Sequence, residues 1–330
     1  MNKVFNIIKK IFSISLTEDF LRYRIMLFGI KISFPRPVVL FKKNANPFYK
    51  YKKEGRDITT LPKATGQVRD IQLANLAILL EIDKVCKKLG IQYWLDYGNL
   101  LGAVRHKGYI PWDDDIDISL LREDFEVFMS NFENVCEDKD LYLFHYCNPK
   151  GTYVLKVCQK NCKFLFVDVF AYDYCKIGMK SDEEKIEYTK NILSKKKEFL
   201  ANIKFEDGKD LYAQYSEFRK NLYDGIDSEN KINNDLMFCV EYGHEEDHGY
   251  NWIKKRDSIF PLKGIEYEGI TLPAVSNCDE HLKSLFGDYM AYPNDITLGH
   301  SAYAKLSKED EIIIKKYVKK LSNYKTGGTL

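Results

Sequence analysis

The chain has 330 residues, enough for one large domain or a domain with elaborations. Its 50 basic and 48 acidic residues leave a net charge of +2, and with no nucleic-acid motif present that balance excludes nucleic acid as a partner. Aromatics reach 14%, with 23 Tyr and 20 Phe, most of them accounted for by half-buried packing, although tyrosine also suits a sugar-handling surface.

Residues 1–14 show a helical pattern, with Val4, Phe5, Ile7, Ile8, Ile11 and Phe12 on one face and Lys3, Lys9 and Lys10 elsewhere. Two occupants of that face stay open: an anionic membrane surface, met peripherally, or protein, whether the chain's own domain or a partner subunit. Residues 24–34 read as a hairpin or a pair of short strands, and a lysine-rich connector runs through Gly55. Residues 67–89 form a helix with an apolar stripe at Ile71, Ile78, Ile82, Val85 and Leu89, ended by Gly90.

A short strand at 92–96 leads into the most informative segment. Residues 98–102 read as a glycine-bearing loop, with Gly98, Gly102 and Asn99 as N-cap of a helix whose free N–H groups would hold phosphate. Arg105 is placed to pair bidentately with a second phosphate oxygen, and His106 either touches phosphate or caps the turn. Four aspartates follow in five positions: Asp113, Asp114, Asp115 and Asp117. Crowded carboxylates repel one another and burial makes their charge costly, so such a cluster persists with a cation in it. Strand alternation points Asp115 and Asp117 one way and Ile116 and Ile118 into the core. Two hard oxygen donors suit Mg²⁺ or Mn²⁺. For Asp113 and Asp114 a solvated acidic turn stays open. Strand, glycine loop, helix, turn and Asp-x-Asp strand together are the layout of a nucleotidyltransferase active site.

Residues 122–135 form an amphipathic helix, and strands follow at 153–159 and 163–172. In the second, Asp168 lies between Val167 and Val169, on the opposite face. A lone acid in an apolar strand is expensive unless paired or metal-bound, which makes Asp168 the third catalytic and metal-binding carboxylate. Its alternative is a structural salt bridge to a lysine such as Lys156. Residues 181–242 have a charged, helical pattern of two or three helices, 260–273 a hairpin around Gly264 and Gly269, and 279–290 a short helix. A Gly299-His300 loop and a lysine-rich helix close the chain. His244 and His248 formally fit HExxH, but flanking glycines and three intervening acids make that a solvated loop rather than a zinc site. The eight cysteines form no CxxC pair and read as reduced, which favours the cytoplasm; no cleavable signal peptide and no spanning apolar run is evident.

The run GNLLGAVRHKGYIPWDDDIDI resembles the signature of the LicD/fukutin family, phosphotransferases with a nucleotidyltransferase-like fold. The helix before it, LFVDVFAYD around Asp168, and LFGDYMAYP followed by Gly299-His300 match as well. The resemblance spans roughly residues 65–300 and is dense only in 93–120. Asn99 departs from the threonine or serine expected there, though an amide can also donate to phosphate. The resemblance implies a substituted phosphate, such as phosphocholine, moving from a CDP-linked donor such as CDP-choline to a hydroxyl of a cell-surface glycan (lipopolysaccharide, capsule or teichoic acid), with release of CMP. It also puts His300 near the site; the cysteines favour the cytoplasm, and the 1–14 helix, if it meets membrane, the inner face of the cell membrane. Two alternatives remain, a nucleotidyltransferase attacking the α-phosphate and a catalytically silent glycan-binding relative. The expected fold is α+β: a nucleotidyltransferase-like mixed β-sheet core flanked by helices at 61–175, an N-terminal segment at 1–60, and a mainly helical elaboration at 176–330 that completes the cleft.

Overall fold

A computed structural model describes residues 12–16, 22–27, 30–35, 47–147, 153–175, 181–202, 208–222, 236–238, 252–293, 296 and 305–325. They fall into two compact units, Met1–Asp57 with Pro293–Leu298, and Ile58–Tyr292 with Gly299–Leu330. In the first unit, β1 (Phe12–Leu16), β2 (Arg22–Leu27) and β3 (Ile30–Pro35) form an antiparallel meander. The expected hairpin over 24–34 is β2 with β3. The amphipathic helix expected over 1–14 lies outside the described residues up to position 11, and from Phe12 the chain is strand instead. The expected connector contains a helix, α1 (Pro47–Lys53), held where Lys52 Nζ donates to the Pro293 carbonyl at 2.6 Å and Ile296 N to the Tyr49 hydroxyl at 2.9 Å.

The second unit is built on a mixed sheet of seven described strands. Its middle strand is β8 (Phe166–Tyr174). On one side β8 runs parallel to β5 (Asp117–Leu121), which pairs antiparallel with β4 (Tyr93–Leu95). On the other side its first half pairs with β7 (Tyr153–Gln159), itself paired with β6 (Leu141–Cys147). Its last residues pair instead with β9 (Leu236–Phe238), which continues to β10 (Ile253–Lys254). β9 lies within the stretch read as wholly helical; three residues are too short for a period-2 signal to emerge from the charged residues around them. β6 also escapes a sequence reading, since its outward positions carry Tyr142 and Phe144 rather than polar residues.

One face of the sheet is apolar: Ile116, Ile118, Leu120, Val157, Val167 and Val169 are buried. It packs against α2 (Gly66–Leu89), whose core face includes Ile71, Ile78, Ile82 and Val85. Gly90 closes that helix at φ 68°, a left-handed conformation that costs a glycine little. α4 (Arg122–Val135) covers the same sheet through Phe125, Phe128 and Phe132. α9 (Lys308–Lys325) lies along α2, where Lys320 reaches Glu81 and Asp138, each at 3.0 Å. The other face carries Asp117, Ser119, Asp168 and Lys156, next to α3 (Tyr97–His106) and α8 (Cys278–Phe286). The hairpin β11 (Lys263–Tyr267) and β12 (Ile270–Ala274) docks on α3 and β4, and α5 (Asp182–Ala201), α6 (Gly208–Leu222) and the one-turn α7 (Arg256–Ile259) are the other described α-helices.

Candidate active site

Register decides the site. In the parallel pair β5–β8, Asp117 stands opposite Asp168, so both carboxylates leave the same face of neighbouring strands. Asp115 lies two residues before Asp117, just ahead of β5, and joins them: one carboxylate oxygen from each of the three lies within 4.8 Å of the others. Asp168 is buried, while Asp115 and Asp117 are half-buried. The structure therefore brings together the three carboxylates that alternation and strand context single out. It also contains the salt bridge weighed against that role, since Lys156 Nζ lies 2.8 Å from Asp168 Oδ1. Among the described residues one ammonium, bonded to Asp168, stands beside the three acids.

The electrostatics follow from that imbalance. Burial, then the charges of Asp115, Asp168 and Asp113, hold the Asp117 carboxyl well above the ordinary range. Asp113 is raised likewise by burial and by Asp115 beside it, so it belongs to the acid cluster. Asp114 is buried at 4% exposure. The open alternative of a solvated turn at 113–114 therefore does not hold.

Three buried amides explain how so much charge stays in place. Gln72 Nε2 donates to the Asp113 carbonyl at 2.6 Å, Asn75 Nδ2 to that of Asp114 at 2.9 Å, and Asn99 Nδ2 to that of Asp115 at 3.0 Å. Asn99 Oδ1 then accepts from Asp117 N, and Asp168 N donates to the Ile116 carbonyl at 2.8 Å. These bonds fix the acidic segment through its backbone and leave its carboxylates free to converge. Gln72 and Asn75 are not readable as site residues from sequence. Their only local signal is a pair of amides one turn apart on a helix face that is otherwise apolar.

The glycine loop is corrected. Residues 97–106 are helix, with Asp96 rather than Asn99 as N-cap: its Oδ1 accepts from Tyr97 N at 2.8 Å. Gly98 and Gly102 lie inside α3 because backbone and side chain from the segment after it pass closely, Asp113 at Gly98 and residues 108–110 at Gly102. A Cβ on Gly102 would come 2.4 Å from the Gly108 carbonyl oxygen, and one on Gly98 2.8 Å from Asp113 Oδ2. Arg105 is 6% exposed; it donates to the Tyr289 carbonyl at 2.8 Å, and its buried Nε meets no partner among the described residues. Burial pulls its guanidinium down to about 10. His106, beside it, has both ring nitrogens buried without a partner, and burial and then Arg105 lower it to about 4, so it is neutral at pH 7. His300 lies outside the described residues, as does the 244–248 segment.

Two further arrangements support this frame. Asp96, fully buried, accepts from the Ser119 hydroxyl at 2.8 Å and the Tyr172 hydroxyl at 3.0 Å, and His281 Nε2 lies 2.8 Å from its other oxygen. Burial works against its charge, but His281, Ser119 and the Tyr97 N–H outweigh it and hold the carboxyl low. Glu268, at the β11–β12 turn, is buried between Arg69 at 2.5 Å and Lys63 at 2.7 Å. Its backbone N–H donates to the Lys107 carbonyl at 2.8 Å. The preceding Tyr267 hydroxyl accepts from Asn99 Nδ2 at 3.1 Å. The hairpin is thereby tied to the helix that holds the acids.

An all-oxygen donor set crowded by like charges fits a hard divalent cation, and Asp115, Asp117 and Asp168 could hold one. Among the described residues no helix is long and apolar enough to cross a membrane.

Comparisons with known proteins agree with this geometry. Residues 90–206 match the family described as LicD/FKTN/FKRP, nucleotidyltransferase domain. The lipopolysaccharide cholinephosphotransferase LicD of Haemophilus influenzae is 27% identical over 257 residues, which covers 68% of this chain and 92% of that protein. An uncharacterised Rickettsia typhi protein is 32% identical over 95 residues, 24% of this chain and 31% of its own length. Human ribitol 5-phosphate transferase FKRP is 50% identical over 40 residues, 12% of this chain and 8% of that protein.

Proposed function

From the premise that this chain carries a LicD-family nucleotidyltransferase domain, we propose that it is a transferase of phosphate-containing groups acting on a glycan. In finer terms, it moves a substituted phosphate of the phosphocholine kind from a CDP-linked donor to a hydroxyl of a cell-surface glycan and releases CMP. The observation that carries the reading is the convergence of Asp115, Asp117 and Asp168.

Mg²⁺ or Mn²⁺ held by those three carboxylates would supply neutralisation of the donor's phosphoryl oxygens. The chain's own residues do the rest. Asp168 accepts the proton of the attacking hydroxyl as its oxygen bonds to phosphorus, and the bond from phosphorus to the CMP oxygen breaks. Lys156, within 2.8 Å, stabilises the Asp168 carboxylate before that transfer. Arg105, a buried cation whose Nε lacks a partner, pairs with a non-bridging oxygen, and neutral His106 beside it donates or accepts without adding charge. Gly98, Asn99 and Gly102 keep the first turns of α3 against the acidic segment, so donor phosphate meets that helix and the acids together. Cys86, Cys136, Cys158, Cys162, Cys175 and Cys278 are free thiols, which supports a reducing compartment, the cytoplasm at the inner face of the membrane.

The test is to incubate the protein with Mg²⁺, a glycan acceptor and CDP-linked choline, ethanolamine, ribitol or glycerol in turn. Metal- and acceptor-dependent CMP release supports the reading. Nucleotide joined to the acceptor would mean attack at the α-phosphate and a nucleotidyltransferase. No turnover with any donor would leave a glycan-binding relative.

A further inference from the structure

The acid-bearing face of the sheet does not end at Asp168. Register carries one row of side chains across four strands: Asp117 on β5, Asp168 on β8, Lys156 on β7 and Phe144 on β6. The next row repeats the pattern with Phe166, Cys158 and Tyr142. Beyond Lys156 these residues line an open cavity of about 700 Å³, a volume within the range of ligand pockets. Its floor is aromatic, from Tyr142, Phe144 and Phe166, and its walls carry Lys156, Lys160 and Lys163.

Each component is unusual for a surface without a ligand. Phe144 is 37% exposed at the middle of a strand, where a solvent-facing position is ordinarily polar. Lys156 lies 4.0 Å from the centre of the Phe166 ring and bridges that ring to Asp168. Lys160 donates to the Lys139 carbonyl at 2.7 Å, and Lys163 lies 5.2 Å from the centre of the Phe164 ring. Among the described residues neither of these two forms an ion pair. Asp310 on the rim feels the charge of Lys163, and it is engaged by the Ser307 backbone and hydroxyl. The balance is cationic and aromatic.

We propose that this cavity is the acceptor subsite and takes a sugar ring bearing a phosphate, the ring lying on Phe144 and Tyr142 and the phosphate against Lys160 and Lys163. The inference rests on the transfer reading above. Adjacent strands lie about 4.8 Å apart, so Phe144 stands about 10 Å from Asp168 along the row, a span that lets a glycan whose terminal sugar reaches Asp168 rest its next, phosphate-bearing ring on Phe144. In-line displacement also requires the acceptor and the leaving nucleotide on opposite sides of phosphorus. Donor phosphate is assigned to α3, at the β4–β5 side of the acids; the cavity opens on the β7–β6 side. A neutral nucleobase would use the rings but would leave the lysines unmatched.

The test is an NMR titration of the EDTA-treated full chain with glucose 1-phosphate, which reads the cavity without metal or turnover. Saturable binding is expected, with glucose and inorganic phosphate each about tenfold weaker or more. Phe144→Leu and Lys163→Ala, both at exposed positions, should each weaken it about fivefold or more, the scale of losing one ring face or one charge. Absence of saturable binding overturns the assignment, as does equal binding of inorganic phosphate or indifference to either cavity variant. Displacement by CMP would make the cavity the donor's base subsite and overturn it too. A failure here leaves metal-dependent CMP release to be judged separately, and a chain without transferase activity can still be shown to bind the sugar phosphate.

Discussion

One strand carries two opposite treatments of a buried acid. At one end of β8, Asp168 meets Asp115 and Asp117, with Lys156 as the one cation in contact among the described residues. Five positions on, Asp173 meets Arg122 at 2.8 Å and Arg219 at 3.1 Å and lies fully inside. Burial pushes both groups of carboxylates up. At Asp173 the arginines, Arg122 first, outweigh it and hold the carboxyl low; at Asp117 the neighbouring acids push the same way as burial and it stays high. Among the described residues Asp173 faces two guanidiniums, while Asp117 faces Asp115, Asp168 and Asp113. That contrast fits the reading of the converging acids as a seat for a cation.

The contrast breaks most visibly in paired variants. Asp117→Asn removes a like charge, so thermal unfolding should occur at an unchanged or higher temperature while metal-dependent CMP release falls by at least ~10²-fold. A clear loss of stability, or retained turnover, would remove Asp117 from the catalytic set. Asp173→Asn should do the reverse to stability. It takes the shared carboxylate from Arg122 and from the buried Arg219, which keeps Glu126 at 2.9 Å, and should cost on the order of 3 kcal/mol in urea unfolding. A cost under about 1 kcal/mol would mean that the pairing contributes little and that the comparison fails.

Glu268 sharpens the same point through pH. Burial opposes its charge, but hydrogen bonds from Arg69 and Lys63 prevail and bring the carboxyl from its ordinary 4.5 to about 2. A carboxyl depressed in the folded state adds stability that is complete above about 4.5 and drains away as pH falls towards about 2. At ~1.4 kcal/mol per pH unit the contribution is on the order of 3 kcal/mol. Glu268→Gln should therefore destabilise the protein by about that amount at pH 7 and by progressively less below pH ~4. Urea unfolding of both proteins at pH 7, 4 and 3 checks it, and a difference that does not shrink in acid would refute the ion-pair account.

How legible these acids are in sequence depends on how local their causes are. Asp115 and Asp117 show themselves because alternation is a two-residue rule, and Asp168 because a lone acid between valines stands out. Gln72, Asn75, His281 and Glu268 act on partners 38 to 205 positions away, and no nearby pattern announces them. Gly98 and Gly102 mislead for the same reason. Glycine inside a helix is disfavoured, so a loop is the natural reading. The cause is another segment passing within van der Waals distance. Phe144 is hidden twice over, since its strand lacks polar alternation and its meaning appears only once register sets it in line with Asp168.

The smallest effect is the most discriminating. If the converging acids are a seat for a divalent cation, Mg²⁺ or Mn²⁺ must bind the folded chain and not the unfolded one, and thermal unfolding must shift upward with concentration. A hundredfold excess over Kd corresponds to about 2.7 kcal/mol. The shift should vanish in Asp117→Asn and persist in Asp173→Asn, whose acid faces arginine rather than its own kind. Acids on two neighbouring strands, Asp117 on β5 and Asp173 on β8, thus answer the same ion differently, and the difference is set by which neighbours each was given. A shift of equal size in both variants would mean that the cation binds elsewhere, and the acid cluster would need another explanation.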